Sequence, residues 1–394
     1  MTFLCIATYR KGDDFLKECD RQGCRVLLLT DEKLKESDWP GEAIDAFYFV
    51  RRDMPEDDIR KGAAFLARSE QIDRIVALDD FDVEMAAMLR EYLHIPGMGE
   101  TTARAFRDKL AMRSRARGAG IPCPDFVHTV NDRAINEWTS ATRPPWVLKP
   151  RGQAAAIGIR KLDSIDQLWS ALNGLGDTRA DFVLEQFIPG DVFHVDSLVF
   201  NREVVFAVAS AYGSPPMTVA HEGGIFVTRT LRDDTPLAQM LTAANARILR
   251  AFGLLRGVSH TEFIRGHDGA LYFLETSARV GGAFIVDVVE AATDLNLWRE
   301  WAKIEIVGEH GAYAPGASHS RSAGIVLSLA RQEQPDLRAY DDREIIRRIR
   351  KPHHAGLIVA SDDEQRVQQL LDSYVTRFYQ DFHASAPPPE RATD

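Results

Sequence analysis

The sequence has few cysteines, no long apolar run, no surplus of basic charge and no dinucleotide-binding glycine fingerprint. Each absence removes a class of protein. No stretch approaches the roughly 18 consecutive apolar residues of a membrane span. The start, Met1 to Thr8, is apolar but lacks a basic leader and a cleavage site, and reads as a first strand rather than a signal peptide. Cys5, Cys19, Cys24 and Cys123 form no C-x-x-C pair and complete no zinc pattern. They read as buried, reduced thiols of a cytoplasmic protein. The 48 basic and 58 acidic side chains leave a net charge of −10, which disfavours nucleic acid, because phosphate backbones reward clustered Lys and Arg. The one dense basic run, Arg343 to Lys351, reads as a solvated helix face.

What remains is a chain of 394 residues, long enough for two or three cores. The first hundred residues alternate strand and helix. Phe3–Thr8, Cys24–Thr30, Ala46–Val50 and Arg74–Leu78 have strand patterns, with helices over Asp13–Gly23 and Asp57–Ser69. This order predicts a doubly wound parallel sheet, whose ligands collect outside the carboxyl ends of its strands. Asp79-Asp80 lies at such an end, where it can serve a site or cap the next helix. After Pro96-Gly-Met-Gly99 a helix is expected over Thr101–Arg117, and then the pattern becomes strand-rich. The expected division is 1–100, 101–310 with a subdomain at about 124–187, 311–383, and a disordered tail at 384–394.

Three segments carry chemistry. The first, from Val258 to Gly282, reads as a β-hairpin around Gly266-His-Asp-Gly269. With a four-residue loop, Arg265 pairs with Ala270, Glu262 faces Phe273, and Glu275 lies diagonally on the same face, about 7–8 Å away. Ser277 shares that face, and Arg279 follows the strand end. A loop one residue shorter turns the face over. Two carboxylates so close repel and call for a cation, and magnesium takes one or two carboxylates together with phosphate oxygens. Gly281-Gly282 allow a backbone to approach a ligand closely.

The second segment ends an apolar strand with Lys149 and continues into a loop of small residues, Gly152 to Gly158, able to fold over phosphates. The third delivers Glu185 from a strand, exposes backbone at Phe187 and Ile188, and turns at Pro189-Gly190. It can supply the acceptor, the N–H and the apolar wall that adenine needs.

In order and spacing these segments resemble the ATP-grasp superfamily, the carboxylate–amine and carboxylate–thiol ligases that include D-alanine–D-alanine ligase and biotin carboxylase. The match covers roughly Arg107 to Val307. It implies a preceding α/β domain and then a two-subdomain fold with the nucleotide between two sheets. Lys109, in the Arg107-Asp-Lys109 opening motif, and Lys149 are implied as phosphate ligands, and Gly152 to Gly158 as the lid. Glu185 and the Phe187–Ile188 backbone are implied as adenine contacts. Glu262 and Glu275, with Ser277, are implied as magnesium ligands, with manganese as a substitute. Arg279 is implied as the arginine at the γ-phosphate and acyl phosphate.

There are departures from the family pattern. Val192 stands where many members carry an acidic ribose ligand; Asp191, His194 or Asp196 can fill that role. Glu275-Thr-Ser277-Ala-Arg279 has serine for the usual asparagine, and Val280-Gly281-Gly282 lacks the base biotin carboxylase uses on bicarbonate, which argues against carboxylation. The resemblance implies an ADP-forming carboxylate–amine ligase, acting through an acyl phosphate on an amino acid or small peptide-like substrate. His221, Glu222, Gly281 and Gly282 are candidate substrate contacts. A homodimer is compatible with the resemblance. The competing readings are a nucleotide-binding regulatory or scaffold protein with weakened catalysis, and a small-molecule kinase of the same fold.

Overall fold

The computed structural model describes residues 1–51, 53–154 and 156–385. The first sheet is built from β1 (Thr2–Ala7), α1 (Asp13–Arg21), β2 (Arg25–Asp31), β3 (Ala46–Val50), α2 (Glu56–Leu66), β4 (Arg74–Ala77) and α3 (Val83–Leu93). Its strands are parallel, in the order β3-β2-β1-β4. Alternate side chains feed two cores, as expected for parallel strands covered on both faces. Phe3, Cys5 and Ala7 pack with Phe15 and Leu16 of α1, whereas Leu4 and Ile6 pack with Ile59 of α2 and Ala86 of α3. The sheet is therefore doubly wound, as the strand–helix alternation predicts.

The expected helix over Thr101–Arg117 is two helices, α4 (Glu100–Arg104) and α5 (Lys109–Gly118). Asp108 is the reason. Its carboxylate accepts from Leu110 N at 2.9 Å and Ala111 N at 3.4 Å, capping a new helix start rather than continuing the old one. The break puts Lys109 at the first turn of α5.

The small sheet follows, from β5 (Phe126–His128), α6 (Asp132–Ala141), β6 (Trp146–Pro150), β7 (Arg160–Leu162), α7 (Ile165–Leu175) and β8 (Phe182–Gln186). It is antiparallel, in the order β5-β8-β6-β7. The large sheet takes β9 (Gly190–Phe200), β10 (Glu203–Tyr212), β11 (Phe226–Thr230), β12 (Gly257–Gly266) and β13 (Leu271–Ser277). Between them run α8 (Pro216–Glu222) and α9 (Pro236–Phe252), with α10 (Ile285–Thr293) and α11 (Leu297–Val307) after β13. Residues 311–383, set apart in the sequence as a C-terminal subdomain, form no separate sheet. They add β14 (Ser322–Leu329), β15 (Ile345–Arg348) and β16 (His354–Ser361) to the large sheet, in the order β13-β12-β9-β10-β11-β14-β16-β15, and α12 (Glu364–Asp381) packs behind. The basic run expected as a helix face therefore supplies strand β15 instead. In the expected tail, Ala384 N bonds Leu329 O at 3.0 Å, and residues 386–394 lie outside the described residues.

The α/β unit is fastened to the large-sheet unit by aromatic packing. Phe15 of α1 meets Trp301 of α11 edge-on at 5.1 Å between centroids. This contact, together with Arg74 Nε donating to Glu305 O at 3.0 Å, ties the parallel sheet to α11, which packs on β9 and β12 of the large one. Among the described residues no helix is long and apolar enough to cross a membrane.

Asp82, at the start of α3, ties this carboxyl end together. It accepts from Thr8 N at 2.8 Å and the Thr8 hydroxyl at 2.6 Å. Burial pushes its carboxyl up to about 7 against the opposing pull of Thr8. A group raised in this way binds its proton more tightly folded than unfolded. The stability it adds is complete below the unfolded value of 3.8 and is lost as pH rises through about 7. Asp82→Asn, which cannot ionise, should gain melting temperature relative to the wild type between about pH 5 and about pH 8. A difference independent of pH would show that Asp82 titrates as an ordinary carboxylate.

Candidate active site

The hairpin of β12 and β13 differs from its expected register in two places, and the two differences cancel. Its loop is one residue shorter than expected. Gly266 N bonds Ala270 O at 2.9 Å, and Gly269 adopts φ +80°, a three-residue loop closed by a left-handed glycine. Arg265 therefore pairs with Leu271, not with Ala270. That shift alone would send Glu275 to the opposite face from Glu262. A β-bulge at Leu274 then adds one residue to β13, and Glu262 pairs directly with Glu275 rather than diagonally. The core face confirms the correction. Phe263 meets Phe273 at 6.5 Å between centroids, and the Thr261 and Thr276 hydroxyls lie 2.8 Å apart. Glu262 and Glu275 are thus neighbours on the other face, with Ser277 opposite His260 one step along.

Each carboxylate has a cationic or donor partner. Glu275 Oε2 lies 3.1 Å from Lys109 Nζ, which also donates to Gln153 O in the lid at 2.6 Å. Glu262 Oε1 accepts from Tyr212 Oη at 2.7 Å and lies 3.6 Å from His260 Nε2. Burial opposes its ionisation, but His260 and Tyr212 hold the carboxyl below its ordinary range.

The small sheet faces this pair. Lys149 Nζ on β6 lies 2.8 Å from Glu185 Oε2 on β8, and Arg113 of α5 lies 3.0 Å from the same carboxylate. All three are buried, Arg113 completely. Burial raises the Glu185 carboxyl, yet Arg113 and Lys149 bring it below its ordinary value, while burial pulls the Lys149 ammonium down. Glu275 is near enough to Lys149 to counter part of that fall. Arg113 follows Lys109 by four residues on one helix, a spacing that places both on the same face. That spacing was legible in the sequence and went unused.

The lid loop is held at its stem. Arg107 donates to Gly152 O, and Lys109 N bonds Arg151 O at 3.0 Å. Gly158 adopts φ +71°, and a Cβ there would meet Pro150 Cγ at 2.8 Å, so the return of the loop requires glycine. Ala155 lies outside the described residues. Phe187 spends its N–H on Pro145 O at 3.1 Å, with its ring beside Lys161; Ile188 follows between β8 and β9.

Strand β9 separates the three ribose candidates. Strand alternation puts Val192, His194 and Asp196 on the site face, whereas Asp191 shares the other face with Phe193 and is exposed. His194 and His260 both donate Nδ1 to Asp196, at 2.7 and 2.9 Å. Burial would lower the His260 imidazole, but Asp196 raises it to about 9. Gly281 lies on this array; a Cβ would be 2.8 Å from Asp196 Oδ1. Gly282 has open space around its Cα. His221 and Glu222 are exposed at the end of α8, with His221 reaching the lid at Ala156 O, 3.4 Å away.

The N-terminal pair Asp79-Asp80 divides its roles. Asp79 caps the following turn by accepting from Phe81 N at 3.0 Å. Asp80 instead enters the site, paired with Arg107 and close to Arg279 and Ser277. Arg279 Nη1 donates to Val280 O at 2.8 Å, leaving its buried Nε without a hydrogen-bond partner among the described residues.

Two antiparallel sheets thus approach one another here, one bearing paired lysine and glutamate and the other paired glutamates. The chain is 28% identical over 241 residues to an L-arginine-specific L-amino acid ligase of Bacillus subtilis, covering 59% of this chain and 58% of that protein. It thus spans a little over half the length of that relative. Its fold matches the crystal structure of an L-amino acid ligase from Bacillus licheniformis with a TM-score of 0.76 at 17% identity, over 97% of this chain and 98% of the other. It also matches the biotin carboxylase domain of a Hydrogenobacter thermophilus 2-oxoglutarate carboxylase, solved with MgADP and bicarbonate, with a TM-score of 0.71 at 15% identity over 97% and 90% of the two chains. No family model matches the sequence. The chain has the ATP-grasp fold.

Breaking the Lys149–Glu185–Arg113 cluster should be expensive, because it leaves buried cations without a counter-charge. Glu185→Gln should lose about 3–5 kcal/mol of stability in urea titration. A loss below about 1 kcal/mol would mean that water reaches the cluster.

Proposed function

We propose that the protein is an ATP-dependent, ADP-forming carboxylate–amine ligase acting on an amino acid or small peptide-like substrate. One observation carries the reading: Glu262 and Glu275 stand side by side on the large sheet, with Lys109 on Glu275, Lys149 of the small sheet close by, and Arg279 just past the end of β13. The likeness to amino-acid ligases supports it.

In this reading adenine lies near Glu185 and the Phe187–Ile188 backbone, with His194 and Asp196 toward the ribose. Lys109 and Lys149 neutralise phosphate oxygens, and the lid loop from Gly152 to Gly158 covers them. The donor set suits a hard divalent ion: two adjacent carboxylates of low pKa or cationic partnership, with the Ser277 hydroxyl beside them. Glu262 and Glu275 would hold magnesium, with manganese able to replace it, and the ion would supply charge neutralisation for the γ-phosphate. The substrate carboxylate attacks the γ-phosphorus and ADP leaves, giving an acyl phosphate. An amine then adds to the acyl carbon and phosphate departs. Arg279 offers its free Nε to the charge that builds on the transferring phosphoryl group, so catalysis is positioning and electrostatics. Lid closure excludes water from the acyl phosphate.

Glu275→Gln should reduce ADP formation by at least about 10²–10³-fold, measured with hydroxylamine present to trap the activated acid as a hydroxamate. Full activity in that variant would mean that the metal lies elsewhere. Phosphate retained on a product, with no hydroxamate, would identify a kinase instead.

A further inference from the structure

The site contains one group that nucleotide chemistry does not use. Asp80 comes from the parallel sheet, in the turn after β4, where open α/β sheets place their ligands. Only 5% of it is exposed. Its Oδ2 accepts from Arg107, but its Oδ1 is buried without a hydrogen-bond partner among the described residues. The helix-capping role is already taken by Asp79. The ion pair with the buried Arg107 guanidinium keeps Asp80 an anion.

An anion with one oxygen left unpartnered beside Arg279 conflicts with binding a phosphoryl group alone, since the two negative charges would repel. The conflict ends if a small cation with N–H donors lies between them. An α-amino acid brings one: its ammonium is a single carbon from the carboxylate that must reach Arg279 to be phosphorylated. A divalent ion at Asp80 would meet three cationic side chains, whereas an ammonium carries half its charge and donates directly to Oδ1.

We propose that Asp80 Oδ1 accepts from the α-ammonium of the substrate whose carboxylate is phosphorylated, making Asp80 a specificity-determining residue that selects free amino acids over plain carboxylic acids. The assignment rests on the ligase reading and adds to it the residue that recognises the first substrate. Phe81, whose ring stacks on Tyr9 at 5.0 Å, lies 4.8 Å from the Arg107 guanidinium and so packs against the partner of Oδ2.

The test measures hydroxamate formation with ATP, magnesium and hydroxylamine from each common L-amino acid and from the des-amino acid of the same carbon skeleton. For the amino acids that react, the wild type should prefer the free amino acid by at least about tenfold in kcat/KM. Asp80→Asn should raise KM for the amino acid by at least about tenfold and leave the des-amino acid near its wild-type kcat/KM, so that the preference collapses. Asp80→Glu should restore part of it. A merely structural role would depress both acids equally; an unchanged preference in Asp80→Asn, with Asp80→Glu behaving likewise, overturns the assignment. Equal use of both acids by the wild type overturns it as well, and leaves the ligase reading standing. Hydroxamate from no acid at all removes both.

Discussion

Two carboxylates placed side by side on a sheet repel each other, and the rest of this site can be understood as the means of keeping them there. Glu262 and Glu275 pair directly because a bulge at Leu274 compensates for a short hairpin loop. Opposite-signed groups then converge from separate parts of the chain. Lys109 comes from the first turn of α5, His260 from the same strand as Glu262, and Lys149 from the facing sheet. Each helps to offset the repulsion, and the position of each depends on a different local feature. Asp108 starts α5, strand alternation sets the face of His260, and Glu185 with Arg113 fixes Lys149.

This arrangement also explains why the three sheets must be coupled. The parallel sheet contributes Asp80, the small sheet Lys149 and Glu185, and the large sheet the paired glutamates. None is a site alone. Arg107 and Lys109 bind them together, since Arg107 reaches both Asp80 and the Gly152 carbonyl, and Lys109 reaches both Glu275 and the Gln153 carbonyl. A movement of the Gly152–Gly158 loop would therefore change the partners of Arg107 and of Lys109, the latter proposed as a phosphate ligand.

Much of this was legible in the sequence, because apolar periodicity and strand-end charges are local signals. The alternation of the first hundred residues gave the doubly wound sheet, and the resemblance carried by the segments of Lys149, Glu185, Glu262 and Glu275 implied the two further sheets. What stayed hidden depends on contacts distant in sequence. The bulge at Leu274 answers to Phe263 and Thr261 across the strand, so the hairpin loop could not be counted from its glycines. The break before Lys109 follows from a single capping aspartate inside an otherwise helical run. The C-terminal strands join the large sheet through β11 and β14, 95 or more residues apart in register pairs such as Arg229 and Gly324. Asp80 could be noticed as a strand-end aspartate, but only the structure shows that Asp79 takes the cap role and that its neighbour keeps one buried oxygen without a partner among the described residues.

The most direct measurement is a crystal structure with a non-hydrolysable ATP analogue and magnesium. The account predicts metal density about 2.0–2.1 Å from oxygens of both Glu262 and Glu275, with phosphate oxygens completing the coordination and Lys109 drawn off Glu275 toward them. Nucleotide bound away from the cleft between the two sheets, or metal density touching neither glutamate, would contradict it.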